Sequence, residues 1–175
     1  MQWFVNIFES VRDFMELGGP VLTLIGWTIF AMWALIIERM IYFRTNLRKM
    51  GEDIREQWEA RSERRSWAAH QIRGGLISEF SMSANTFVPM VHTLVALCPL
   101  LGLMGTVTGM IEVFDVMGMS GSSNARSMAS GVSKATIPTM AGMVGALSGV
   151  FLCTILTRRV EREVEDLEDA LTMDH

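Results

Sequence analysis

The chain has 175 residues, half of them hydrophobic, with 15 Met, 15 Gly and a formal net charge of −4, and its mean hydropathy is positive. Such a composition excludes an ordinary soluble domain, and the acidic balance leaves no electrostatic footprint for DNA or RNA. Three apolar stretches, residues 21–37, 87–111 and 135–157, occupy so much of the chain that the rest is too short for a separate enzyme domain.

Residues 1–19 are expected to form an amphipathic helix on the outer side of a membrane. Phe4, Ile7, Phe8, Val11, Phe14 and Met15 recur at helical spacing, with Glu9, Arg12, Asp13 and Glu16 between them. Its apolar face suits either the lipid interface or another subunit. The segment lacks the basic n-region and small-residue cleavage site of a signal peptide, so it is expected to remain on the mature protein. Gly18, Gly19 and Pro20 then break the helix.

The first transmembrane helix is expected over residues 20–43, bulky enough to face lipid and closed by the aromatic pair Tyr42 and Phe43. Residues 44–84 form a cytoplasmic segment of mixed charge. Ile54, Trp58, Arg61 and Arg65 share one helical row there, which predicts a solvated, salt-bridged helix or a docking surface. No glycine-rich phosphate loop, nucleophile elbow or paired Cys/His set occurs. Cys98 and Cys153 both fall in apolar spans and are expected to be small buried residues, with neither a disulfide nor a metal. No cofactor is expected.

The second span, residues 85–112, carries Gly102, Gly105 and Gly109 on one face, beside Pro99. After a loop over 113–133, the third span, 134–157, repeats the device with Gly142, Gly145 and Gly149 and continues as a helical tail over 158–175. Small residues at this spacing let helix backbones approach closely. Basic residues crowd the segment from Arg39 to Arg73 and the tail at Arg158, Arg159 and Arg162, whereas residues 1–20 hold only Arg12. The positive-inside rule therefore sets the N-terminus outside and the tail in the cytoplasm. The fold class expected is an all-α membrane protein of three transmembrane helices with helical cytoplasmic extensions.

Counting 1.5 Å per residue from boundaries at Glu112 and Lys134 places Thr106 ~9 Å and Thr139 ~8 Å below the outer surface. Two hydroxyls at matched depth on glycine-lined spans are expected to form a shared polar lining, although any one Thr can instead bond its own helix. Such hydroxyls could hold a water or stabilise a charged carboxylate. The chain places no titratable group of its own at that depth, and His92 lies far lower, as a buried or interfacial histidine. Any carboxylate for proton passage must come from a partner.

The run CPLLGLMGTVTGMIEVF, followed by SGVSKATIPTMAGMVGALSGVF, resembles the ExbB/TolQ/MotA family of proton-driven motor subunits. Over roughly residues 86–160 the ExbB branch is the most similar, in particular the compact ExbB of a second type of TonB system. The resemblance rests on Pro99, Gly102, Gly105, Thr106, Val107 and Gly109, and on the pattern around Gly131, Thr139, Gly142 and Ala146. It implies a bacterial inner-membrane homopentamer surrounding the single spans of two ExbD-like chains. Thr106 and Thr139 would face the partner's transmembrane aspartate, and the output would pass to a TonB-like protein that energises import of iron siderophores, haem or cobalamin. TolQ-like service to a Tol–Pal envelope system is the runner-up within the family. A purely structural scaffold and a pore made by this chain alone are the other classes. MotA is disfavoured because it needs a fourth span and a large cytoplasmic domain. Where many ExbB and TolQ proteins carry glutamate at the entry to the third span, this chain has Lys134. That ammonium either snorkels to the interface or contacts a partner carboxylate.

Overall fold

The computed structural model describes residues 2–61, 63–64, 66–120 and 125–172, and no strand occurs among them. Five α-helices follow in order: α1 (Gln2–Tyr42), α2 (Arg48–Glu59), α3 (Trp67–Asn85), α4 (Val88–Ser120) and α5 (Ala125–Ala170), with a π-helical turn, Phe43–Leu47, between α1 and α2. Three stretches are long and apolar enough to cross a membrane, Gly18–Glu59, Trp67–Met119 and Met128–Ala170. The connection expected over residues 113–133 is itself helical through Ser120 and again from Ala125.

The break expected after the N-terminal helix is a single-residue event. Gly19 has φ 65° and ψ −164°. The positive φ suits a residue with no Cβ, and the extended ψ is what the following Pro20 imposes on its predecessor. The side chains of Phe4, Ile7, Phe8, Val11 and Phe14, which would test the amphipathic pattern, lie outside the described residues.

The chain divides into two compact units, residues 1–33 with 93–150 and residues 34–92 with 151–175. In the first, α4 and α5 run antiparallel in close contact. A Cβ on Gly102 would stand 2.9 Å from the Thr139 Cα, and one on Gly109 2.7 Å from the Ala135 Cβ. Gly105 and Gly142 abut Pro138 and the carbonyl of Cys98. The third-span glycines serve two neighbours: Gly142 admits α4, while Gly145 and Gly149 receive Ile29 and Met32 of α1. Leu22, Ile25 and Met32 are accordingly buried, and Trp27 and Phe30 on the other side of α1 are exposed.

The second unit has its own apolar core, including Phe43, Leu47, Ile54, Trp58, Phe80, Leu167 and Leu171. The solvated helix expected here is thus half correct. Its ion pair is Arg48 with Glu52 at 3.3 Å, one turn apart on the exposed side, but Ile54 and Trp58 are buried against the end of α5. Helix α2 ends at Glu59, so Arg61 falls outside the helical row and Arg65 outside the described residues. Side chains close the carbonyls that the end of α5 cannot bond internally. Trp58 Nε1 donates to Thr172 O at 3.0 Å, Arg73 Nε to Leu171 O at 2.7 Å and Arg73 Nη2 to Glu168 O at 2.7 Å. Helix α3 starts on Ser66, whose Oγ accepts from Ala69 N at 3.2 Å.

Candidate functional site: the hydroxyls of the α4–α5 seam

The hydroxyl groups of the seam separate into two kinds. Most bond the carbonyl one turn back on their own helix: Thr106 to Leu103 at 2.7 Å, Thr136 to Ser133 at 2.8 Å, Ser148 to Gly145 at 2.7 Å, and Thr108 to both Met104 and Gly105 at 3.1 Å. Thr139 instead crosses the seam, its Oγ1 donating to Gly102 O at 2.9 Å. With no side chain on Gly102, the two backbones come close enough for that bond. Pro99 and Pro138 each remove one backbone donor from the seam, and the Pro138 ring packs on Gly105.

Thr106 and Thr139 are both half-buried, but they are not level. Thr139 faces Gly102, one helical turn or ~6 Å from Thr106 along α4. Equal counting from Glu112 and Lys134 requires those two residues to oppose each other. In the structure Gly109 meets Ala135 and Gly131 meets Val113, so Glu112 stands only about half a turn, ~3 Å, beyond Lys134, and the offset widens to about a turn where Gly102 meets Thr139.

Both threonine protons are committed to backbone carbonyls. What each hydroxyl can still offer is acceptor capacity. An acceptor suits a neutral carboxylic acid or a water, and gives no direct support to a carboxylate. Of the two roles expected from the sequence, holding a water is compatible with this bonding, while direct support of a charged carboxylate would need a hydroxyl to leave its carbonyl.

At the Glu112–Lys134 end of the same unit, a cavity of about 460 Å³ is lined by the Gly18–Val21 turn, the Gly105 and Gly109 faces, Thr108, Glu112 and Lys134. Lys134 is exposed on its wall. In the second unit His92 is exposed, with Nε2 3.4 Å from Thr157 Oγ1, so the interfacial alternative fits it and the buried one does not. Cys98 and Cys153 are free and buried.

Arg39 does more than the topology count asks of it. It is only 4% exposed. Its guanidinium lies 4.6 Å from the Tyr42 ring centre and 4.8 Å from that of Phe87, with Nε 2.9 Å from a Glu38 oxygen. Phe87 holds a φ of 63°, unfavourable for a residue with a bulky side chain, at the junction of α3 and α4. Tyr42 is fixed in turn by a 2.8 Å hydrogen bond with Ser83 Oγ. The only signal in the sequence is an arginine closing an apolar span with an aromatic three residues on; nothing there pairs it with Phe87.

A family model described as the MotA/TolQ/ExbB proton channel family matches residues 43–169, well over half of the chain. A comparison with curated proteins found no match.

Proposed function

From a chain that belongs to the MotA/TolQ/ExbB proton channel family, we propose an ExbB-type subunit of a bacterial inner-membrane motor that uses proton motive force to energise TonB-dependent import across the outer membrane. Its N-terminus is periplasmic and its tail cytoplasmic. Five copies surround two single-span, ExbD-like partners.

The observation that carries the proposal is the pairing of seam hydroxyls with a lack of acids. Residues 93–111 and 135–150 contain no Asp, Glu, His, Lys or Arg, while Thr106 and Thr139 present acceptor oxygens on packed glycine faces. A proton cannot be carried by these residues alone. A partner aspartate in low dielectric takes a proton from the outer side and becomes neutral, and the two threonines accept its O–H as it passes. The membrane potential supplies about 2.3 kcal/mol per charge per 100 mV, sufficient to bias such a step. The short segment between the first and second spans supports the compact ExbB branch. The exposure of Lys134 on the cavity wall supports a contact with a partner carboxylate in this reading.

Deletion of the gene separates the two branches. Loss of growth on ferric siderophores with unchanged detergent resistance is the expected phenotype. Detergent sensitivity with normal siderophore use would assign the chain to a TolQ-type envelope system instead.

A further inference from the structure

The second unit contains a cavity of about 570 Å³ with four arginines among its lining residues. One wall is a single helical row, with Arg44, Arg48 and Arg55 at spacings of four and seven. Gly51 lies in the same row and leaves the space above it open except for the Phe80 ring. The other wall is Arg159 and Glu163 of α5, one turn apart, and Phe43, Leu47 and Phe80 supply an apolar floor. The π-helical turn sets this arrangement. It spans Phe43–Leu47 and buries Phe43 and Leu47, while Arg44 between them remains exposed.

Four guanidinium groups face two carboxylates here, Glu52 and Glu163. Arg48 is paired with Glu52 and Arg55 donates to Asp166 O at 3.4 Å. Arg44 and Arg159 have no ion-pair partner among the described residues. Of the four cavity arginines they are also the ones closest in sequence to the apolar spans. Arg44 follows the aromatic pair Tyr42 and Phe43 directly, and Arg159 comes two residues after Thr157 at the end of the third span. A cationic cavity at headgroup depth with an apolar floor has the chemistry of an anionic lipid site.

We propose that this cavity binds the phosphate of an anionic phospholipid from the cytoplasmic leaflet, held by Arg44 and Arg159, with the glycerol and first acyl carbons on Phe43, Leu47 and Phe80. Guanidinium forks match phosphate oxygens bidentately, which an ammonium would not. The site depends on the membrane placement of the spans and is independent of the proton-carrying role, so its failure would leave that role untouched.

The test is native mass spectrometry of the full chain released from mixed vesicles of phosphatidylglycerol and phosphatidylethanolamine, with inorganic phosphate added in a parallel arm. Retention of phosphatidylglycerol over phosphatidylethanolamine is expected, with no displacement by millimolar phosphate. The double variant Arg44→Gln/Arg159→Gln is expected to retain about twenty-five-fold less, from roughly fivefold for each guanidinium. The control Arg158→Gln/Arg162→Gln removes equal charge outside the cavity and is expected to keep the preference. Equal retention of the two lipids by the unaltered protein would overturn the proposal without any variant having to fold. Equal loss in both double variants, or displacement by free phosphate, would overturn it as well.

Discussion

Replacing Thr139 with Val is expected to abolish energised siderophore uptake while the protein still assembles in the membrane. The substitution keeps the side-chain volume nearly constant and removes a hydroxyl that bonds across the seam to α4, at Gly102 O. Interhelical hydrogen bonds inside membranes contribute about 0.6 kcal/mol on average and rarely more than about 1.7. The Gly102 carbonyl also sits inside helix α4 and is not orphaned by the change. The structural loss is therefore too small to dismantle the seam, and the functional loss comes from the missing acceptor. Thr139→Ser restores the hydroxyl and is expected to recover much of the uptake. Siderophore-dependent growth together with the amount of membrane-inserted protein reads both effects, and full uptake by Thr139→Val would sink the assigned role.

Gly142→Ala is expected to give the largest loss of stability among the glycine substitutions of the third span. Its new methyl would run into the backbone carbonyl of Cys98. Overpacking of this kind costs roughly 1–3 kcal/mol, at the upper end where no rotamer can yield. At Gly149 the obstacles are the Met32 Sδ at 2.5 Å and the Val95 Cγ2 at 2.7 Å. Met32 can turn aside, so Gly149→Ala is expected to cost less. Gly74 in α3 has nothing within 4 Å of the place a new methyl would take, and Gly74→Ala is expected to be neutral or slightly stabilising. Unfolding midpoints in one detergent should fall in the order Gly74→Ala, Gly149→Ala, Gly142→Ala. Equal midpoints for the last two would contradict the packing described.

Hydrophobic runs and glycine spacing suffice to read the three spans and the small-residue faces, because both depend on local period. The break at Gly19 and Pro20 is legible for the same reason. What local period cannot give is register between helices. Counting along each span makes the threonines level, yet Gly102 against Thr139 puts Thr139 one turn from Thr106. Nor can a single glycine row reveal that Gly142 serves α4, Gly145 serves α1 and Gly149 meets both, through Met32 and Val95. Trp58 reads as part of a solvated face because its burial comes from Leu167 and Leu171, far along the chain. Arg39 and Phe87, and Arg44 and Arg159, are likewise brought together only by the fold.

The proposed mechanism has this chain supply acceptors for a proton while a partner supplies the acid. Proton flux into liposomes under an imposed potential, followed with an entrapped pH dye, tests that division of labour most directly. The purified chain alone is expected to be proton-tight. Co-reconstitution with the single-span ExbD-like partner is expected to open a flux that Thr139→Val removes. Proton flux through the chain alone, or flux in the complex unaffected by Thr139→Val, would contradict the account.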